Sequence, residues 1–271
     1  MHDLRRLAIG CALAVACLPL GAEEPRAPQT PLRGMTVKIC EDAGEWPPYT
    51  YFERVGGKPT ARVRGFAIDV IDAIFGKAGV SYSVDLLPWV RCQKEIEQGA
   101  PYHMALNASY NESRAKTYLL SRAYYRTTNY YFYSRRQHPD GLAIASLADL
   151  PKYRVCGLFG YNYETYGLKP GMVDQGARDF PALIAKLHAG RCDLFLEKYE
   201  VMAGFSAIGQ PFLADRDLAG KSVPGMAPTE FYMMVSRRGE HADQLIRLIN
   251  DGIAELEASR QLERMLKKYI P

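Results

Sequence analysis

The chain has 271 residues, 34 basic and 30 acidic, for a net charge of +4. So mild a surplus speaks against nucleic acid as a partner, and no nucleic-acid contact is expected. Beyond the first twenty or so residues, no apolar run is long enough to span a bilayer.

Residues 1–22 read as an export signal. Arg5 and Arg6 form a positive start, and Leu7 to Leu20 is an apolar run broken by Gly10 and Pro19. That run is too short and too interrupted for a permanent membrane helix. Cleavage is expected after Ala22, ahead of Glu23-Glu24, which makes the mature protein an exported one. A lipid on Cys17 is the alternative, with Ala14 standing where a lipobox usually carries leucine. Glu23 to Pro31 holds three prolines and no core pattern, as in a disordered leader. Roughly 250 residues then remain, enough for one large domain or two ordinary ones.

Met35 to Ile39 is expected to be a strand, followed by a loop from Cys40 to Tyr51 that contains Trp46-Pro47-Pro48-Tyr49. Two prolines between aromatics fix an extended backbone. Gly56-Gly57-Lys58-Pro59 reads as a turn. Gly65 to Phe75 has apolar residues at helical spacing and stops at Gly76 or Gly79. Tyr82 to Leu87 is a strand, Val90 to Gln98 a helix ended by Gly99, and Tyr102 to Leu106 a third strand.

The stretch Asn107-Ala-Ser-Tyr-Asn-Glu-Ser-Arg114 follows, with Leu120-Ser-Arg-Ala-Tyr-Tyr125 beyond it. A polar loop leads into a helix start that carries one arginine. Hydroxyls, backbone N–H groups and a guanidinium fork in one loop suit a carboxylate. Standing alone, Arg114 would read as a surface arginine.

Arg126 to Arg136 is tyrosine-rich and extended. Leu147 to Pro151 is a short helix, Tyr153 to Leu158 a strand, and a helix starts near Glu164. Asp179 to Ala189 is helical up to Gly190, Cys192 to Leu196 is a strand, and Lys198 to Phe205 a helix. Phe231 to Ser236 is extended, and Asp243 to Tyr269 forms one or two helices. Strands alternate with helices on both sides of the tyrosine-rich segment, which implies α/β layers. The extended segments near 126–134 and 229–236 look like two crossings between lobes. Residues 35–128 with 231–271 would form lobe 1, and residues 129–230 lobe 2. Loops at the carboxyl ends of both sheets would face one cleft.

Of the six cysteines, Cys11 and Cys17 lie in the leader. Cys40, Cys92, Cys156 and Cys192 allow three pairings. Cys40–Cys92 and Cys156–Cys192 are preferred, because each pair stays within one half of the chain. A metal site is the alternative, but no CxxC or HxxxH spacing supports it. Buried free thiols are another.

With these landmarks in order, the chain resembles the periplasmic solute-binding proteins of family 3, the polar-amino-acid type, from about Val37 to Tyr269. Trp46-Pro-Pro-Tyr49 is similar to that family's aromatic-Pro-Pro-aromatic loop, and Gly65-Phe66 with Asp69 to its helix start. Trp89 and Gly99 fit the next strand and helix. Ser109 through Arg114 to Ser121 and Tyr124 resembles its arginine block. Gly160, Gly190-Arg-Cys-Asp193 and Lys267-Lys-Tyr269 fit later landmarks. The resemblance implies a two-lobed type II periplasmic binding fold, α/β, with two crossover connectors and a ligand cleft. It implies that Arg114 holds a carboxylate, aided by Ser109 and Asn107. Tyr161 and Asn162 would add backbone N–H groups, Trp46 would pack on the solute's side chain, and Trp89 and Tyr49 are candidate walls. Asp69 would cap its helix or support the hinge.

Where the family places an aspartate for the solute's α-amino group, this chain has Lys198, with Glu197 beside it and Glu200 further on. Either Glu197 takes the ammonium, or the solute lacks one and Lys198 binds a second acid group. Asn111 replaces a usual threonine and Ala123 a usual proline. The implied activity is capture of a small carboxylate solute, an amino acid, by a monomer that delivers it to an ABC permease. No cofactor or metal is expected. The rivals are a periplasmic sensor or adaptor on the same fold, and a dehydratase-like enzyme using Glu197 or Glu200.

Overall fold

The computed structural model describes residues 32–270. The expected export signal over 1–22, the lipid alternative at Cys17 and the proline-rich leader lie outside the described residues.

Strand β1 (Thr36–Asp42) buries Val37 and Ile39 completely. A hairpin of β2 (Tyr51–Val55) and β3 (Lys58–Arg64) follows, where the sequence suggested only a turn. Helix α1 (Phe66–Ala78) buries Phe66, Val70, Ile71, Ile74 and Phe75, a stripe at helical spacing. Gly79 ends it in the left-handed region, with its N–H on the carbonyls of Phe75 and Gly76. Next come β4 (Ser81–Leu87), α2 (Trp89–Gln98), β5 (Met104–Ser109), α3 (Glu112–Thr117), β6 (Tyr118–Leu120) and β7 (Tyr125–Thr127).

The chain then crosses to a second sheet. It builds β8 (Asn129–Ser134), a 3-10 turn at Leu147–Lys152, β9 (Val155–Leu158), β10 (Val173–Ala177), α4 (Phe180–His188), β11 (Leu194–Lys198), α5 (Tyr199–Gly204) and β12 (Leu218–Ser222). The helix expected near Glu164 is a single 3-10 turn, Glu164–Tyr166, closed by left-handed Gly167. After the second crossing, β13 (Thr229–Ser236), α6 (Ala242–Ala258) and α7 (Gln261–Leu266) complete the first lobe.

The first sheet runs β4-β1-β5-β13-β6, with β7 also on β13. Its β4, β1 and β5 are parallel, whereas β13 runs antiparallel to β5, β6 and β7. The second sheet runs β10-β9-β11-β8-β12, parallel among β10, β9 and β11. Strands β5 and β11 are central, and Met-Ala-Leu-Asn-Ala and Leu-Phe-Leu-Glu-Lys are buried throughout. Such strands normally read as unbroken apolar runs. Asn107, Glu197 and Lys198 interrupt them near their carboxyl ends.

Disulfides join Cys40 to Cys92 and Cys156 to Cys192. Among the described residues, no helix is long and apolar enough to cross a membrane.

Candidate functional site

The carboxyl ends of β1, β5, β9 and β11 converge on one cavity. Its walls hold nine of the residues singled out for the solute: Trp46, Trp89, Asn107, Ser109, Arg114, Tyr161, Asn162, Glu197 and Lys198; Tyr49, the other candidate wall, is fully buried and does not line it. The sequence did not point to Glu41, Asp42, Tyr163, Tyr166, Leu196 and Phe231, which line it too. Among the described residues, the buried charged side chains are Glu41, Glu45, Arg114, Glu197 and Lys198. Glu45 is paired with Arg54, and the other four line this cavity.

Arg114 sits in the first turn of α3, whose N-cap Asn111 accepts the Arg114 N–H at 2.7 Å. Asn111 is the residue that replaced the family's threonine, and it caps as a threonine would. The Arg114 side chain is 7% exposed. One amino group, Nη1, donates to the Ser109 carbonyl at 3.0 Å and to Ser109 Oγ at 2.9 Å. Its ring-like plane lies 5.6 Å from the Trp89 centroid. Among the described residues, no carboxylate lies within 4 Å of it, and its Nε and Nη2 have no protein acceptor. Burial pulls its pKa down to about 10. Ser109 Oγ also accepts from Asn162 Nδ2 at 3.2 Å. With both lone pairs taken, the Ser109 hydroxyl keeps its own hydrogen to give. An open Nε–Nη2 fork beside an O–H donor has the chemistry that suits a carboxylate.

Asn107 plays another part than the resemblance implied. Its Nδ2 donates to Glu41 Oε2 at 2.8 Å and Thr50 Oγ1 at 3.0 Å, and its Oδ1 accepts from Tyr125 at 2.8 Å. The amide is therefore used within its own lobe and fixes the floor of the cavity. Glu41 accepts from the N–H groups of Leu106 and Asn107 as well. These donors favour its carboxylate, but complete burial outweighs them and raises its pKa to about 7.

A stability consequence follows. A raised Glu41 pKa means the folded state holds its proton where the unfolded chain has released it. That stabilisation is complete below about 4.5 and is lost as pH rises through about 7. Between pH 5 and pH 8 the protein is expected to lose on the order of 2 kcal/mol more than Glu41→Gln does, measured by urea unfolding. Matching pH profiles would refute this.

The second lobe reaches the cavity through the loop after β9. A Cβ on Gly160, where φ is +77°, would lie 2.3 Å from Val90 Cγ2 of the other lobe, so only glycine allows this approach. The Tyr161 N–H is engaged by the Leu158 carbonyl at 3.3 Å, so its backbone is not the free donor that the resemblance implied. Its hydroxyl instead donates to Asp42 across the cleft at 2.7 Å, and its ring stands edge-on to Trp46 at 5.7 Å. Asn162 Nδ2 crosses as well, to Tyr110 O at 3.0 Å. These contacts hold the lobes closed. Trp46 ends an aromatic stack: Tyr49 lies on Tyr125 at 4.0 Å, Tyr125 on Phe231 at 4.8 Å, and Phe231 near Trp46 at 5.9 Å. Its buried Nε1 has no acceptor.

Glu197 is 3% exposed, and its one hydrogen bond is from the Lys198 N–H, at 2.7 Å. Burial raises its pKa, against the pull of Lys198. Lys198 is buried beside it, and burial lowers its pKa. A buried carboxyl so thinly satisfied can take an ammonium. Asp69 does not cap its helix; it lies in the first turn of α1, 3.9 Å from Lys268.

Far from the cavity, His188 links Ser134 Oγ at 2.8 Å to Asp215 Oδ2 at 3.0 Å. The order is that of a hydrolytic triad, but Ser134 is fully buried, so no acyl group can reach it. The linkage ties β8 to α4.

A model of the bacterial extracellular solute-binding proteins, family 3, matches residues 38–271. No curated protein matches the chain. Among solved structures, it is similar to an amino acid ABC transporter substrate-binding protein, AbpA, from Streptococcus pneumoniae, bound to L-arginine. That likeness has a TM-score of 0.67 at 19% identity and covers 86% of this chain and 94% of that one. A histidine kinase sensor domain with similarity to periplasmic binding proteins gives 0.68 at 20% identity, over 87% and 96%. An ancestral amino acid-binding protein, a precursor of cyclohexadienyl dehydratase, gives 0.64 at 15%, over 87% and 96%. At such identities the likeness is one of fold: the two-lobed type II periplasmic binding fold.

Proposed function

The chain belongs to family 3 of the bacterial extracellular solute-binding proteins, and on that premise we propose that it captures a small carboxylate-bearing solute, an amino acid, in the periplasm. The observation that carries this reading is Arg114. A buried guanidinium is costly unless something pairs it, and here Arg114 lines the cavity with Nε and Nη2 left without a protein acceptor among the described residues. The solute's carboxylate would take Nε and Nη2, with the Ser109 hydroxyl as a further donor. Its ammonium would take Glu197, the neighbour of the position where an aspartate was expected.

Closing follows from the same arrangement. Arg114 and Ser109 belong to the first lobe, Glu197 to the second, and a solute that touches both shifts the balance toward closure. The closed form would then hand its solute to an ABC permease.

The solute can be caught directly. Protein exported by a bacterial host and purified without denaturant should release, on unfolding, a small molecule whose mass spectrum identifies a carboxylic acid. Recovery of a solute with no acid group would overturn the reading.

A further inference from the structure

Lys198 stands where the two crossings between lobes meet. Its Nζ lies 2.5 Å from Asn129 Oδ1, 2.9 Å from the Tyr166 hydroxyl and 3.2 Å from Thr229 Oγ1. An ammonium has three hydrogens, so these three acceptors use all of them. Asn129 opens β8, at the first crossing, and Thr229 opens β13, at the second. The two are also joined directly. Asn129 Oδ1 accepts the Thr229 hydroxyl at 2.8 Å, and Asn129 Nδ2 donates to the Ala227 carbonyl at 2.8 Å. Beside them Glu200 accepts the Thr128 N–H at 2.8 Å and the Thr128 hydroxyl at 2.7 Å, which fixes the peptide between β7 and β8.

Of its three acceptors, Tyr166 lines the cavity with Lys198, whereas Asn129 and Thr229 do not. All three hydrogens are held by these protein acceptors, two of them at the joint, so the charge is bound to the hinge and not left for a solute. We propose that Lys198 is a positioning residue of the hinge, which ties the two crossings together and sets the balance between the open and closed cleft without hydrogen-bonding the solute. A hinge works through a few residues that absorb the backbone change. Swinging the lobes apart turns the backbone around Thr128 and around residues 223–228. Asn129 and Thr229 then move relative to the end of β11, and a three-pronged ammonium can meet all its acceptors in one arrangement only. In a buried setting such bonds are strong, and losing one is costly. The inference holds whatever the solute is, because no solute enters it. It also gives a reason for lysine at a place where a solute-binding acid was expected: a carboxylate could not donate to Asn129 Oδ1.

The test needs no solute. The chain holds two tryptophans, Trp46 and Trp89, both on the cleft walls. Trp46 packs against Tyr161 of the opposite lobe, so a fluorine on its ring reports the opening of the cleft. The full chain, labelled with 5-fluorotryptophan and refolded with its disulfides intact to strip bound solute, is compared by 19F NMR with Lys198→Met and Thr229→Val. Both variants are expected to move the Trp46 resonance in the same direction. Thr229→Ser keeps the acceptor and is expected to retain the parent spectrum, which controls for damage at the site. A parent-like Trp46 resonance in either Lys198→Met or Thr229→Val overturns the proposal. Thr229→Val is the sharper arm, since Thr229 lies outside the cavity and cannot act by touching a solute.

Discussion

Replacing Arg114 with methionine is expected to weaken capture of carboxylate solutes by about 30-fold or more while leaving the solute-free protein at least as stable as the parent. The two halves of this result have one cause. Arg114 is 7% exposed and, among the described residues, has no carboxylate within 4 Å. In the empty cleft its desolvation is offset only by Ser109 and by the Trp89 ring. Methionine keeps the packing on Trp89 and removes the charge, so thermal unfolding should stay level or rise. In the filled cleft, on the proposed reading, the guanidinium would make two charge-assisted bonds that methionine cannot. Losing one partner of such a pair costs roughly 2–5 kcal/mol, or about 30-fold to a few thousand-fold in Kd. Calorimetric titration reads the affinity and scanning calorimetry the stability. An affinity within about threefold of the parent would remove Arg114 from the site.

Loss of either disulfide is expected to cost about 4 kcal/mol of stability, enough to unfold many domains of this size at body temperature. Cys40–Cys92 closes a loop of 52 residues and Cys156–Cys192 one of 36. Loop entropy rises only slowly with length, so the two effects should be nearly equal. Both bonds also hold the site. Cys40 precedes Glu41 and Asp42, and Cys92 lies in the helix that begins with Trp89. Cys156 lies on β9, which leads to Tyr161 and Asn162, and Cys192 precedes β11, which ends in Glu197 and Lys198. Paired serine variants, compared by urea unfolding, check the number. Equal stability of a paired variant and the parent would contradict the account.

Much of this architecture can be read from the residues, and the exceptions share physical causes. Helices such as α1 and α2 carry apolar stripes and end at glycines that do stand in the left-handed region. Strands β10 and β12, by contrast, are edge strands of composition Val-Asp-Gln-Gly-Ala and Leu-Ala-Gly-Lys-Ser, with little to separate them from loops. The β2–β3 hairpin has no fully buried residue on either strand, so no buried–exposed alternation marks it. Glu41 and Asp42 escaped notice because the expected strand stopped at Ile39, whereas β1 runs on to Asp42.

At the site itself, residue types located the cavity better than they assigned roles. Asn107 and Tyr161 line it, but the Asn107 amide is used by its own lobe and the Tyr161 hydroxyl by Asp42. Hydrogen-bond saturation is a matter of partners distant in sequence, such as Glu41 and Asn107, 66 residues apart. No local pattern could show it. The same holds for Lys198, whose acceptors Asn129, Tyr166 and Thr229 are gathered only when both crossings are in place.

The central claim is that the cleft recognises a carboxylate. A thermal-shift comparison of solute-stripped protein tests it most directly, with each α-amino acid offered as the free acid, the carboxamide and the decarboxylated amine. A ligand that binds only the folded protein stabilises it by RT ln(1 + [L]/Kd), about 4 kcal/mol at a thousandfold excess over Kd. At least one free acid is expected to raise the melting temperature in this way, and its amide and amine to leave it unchanged. An amide or amine that stabilises as well as the acid, or no response to any carboxylate, would contradict the account.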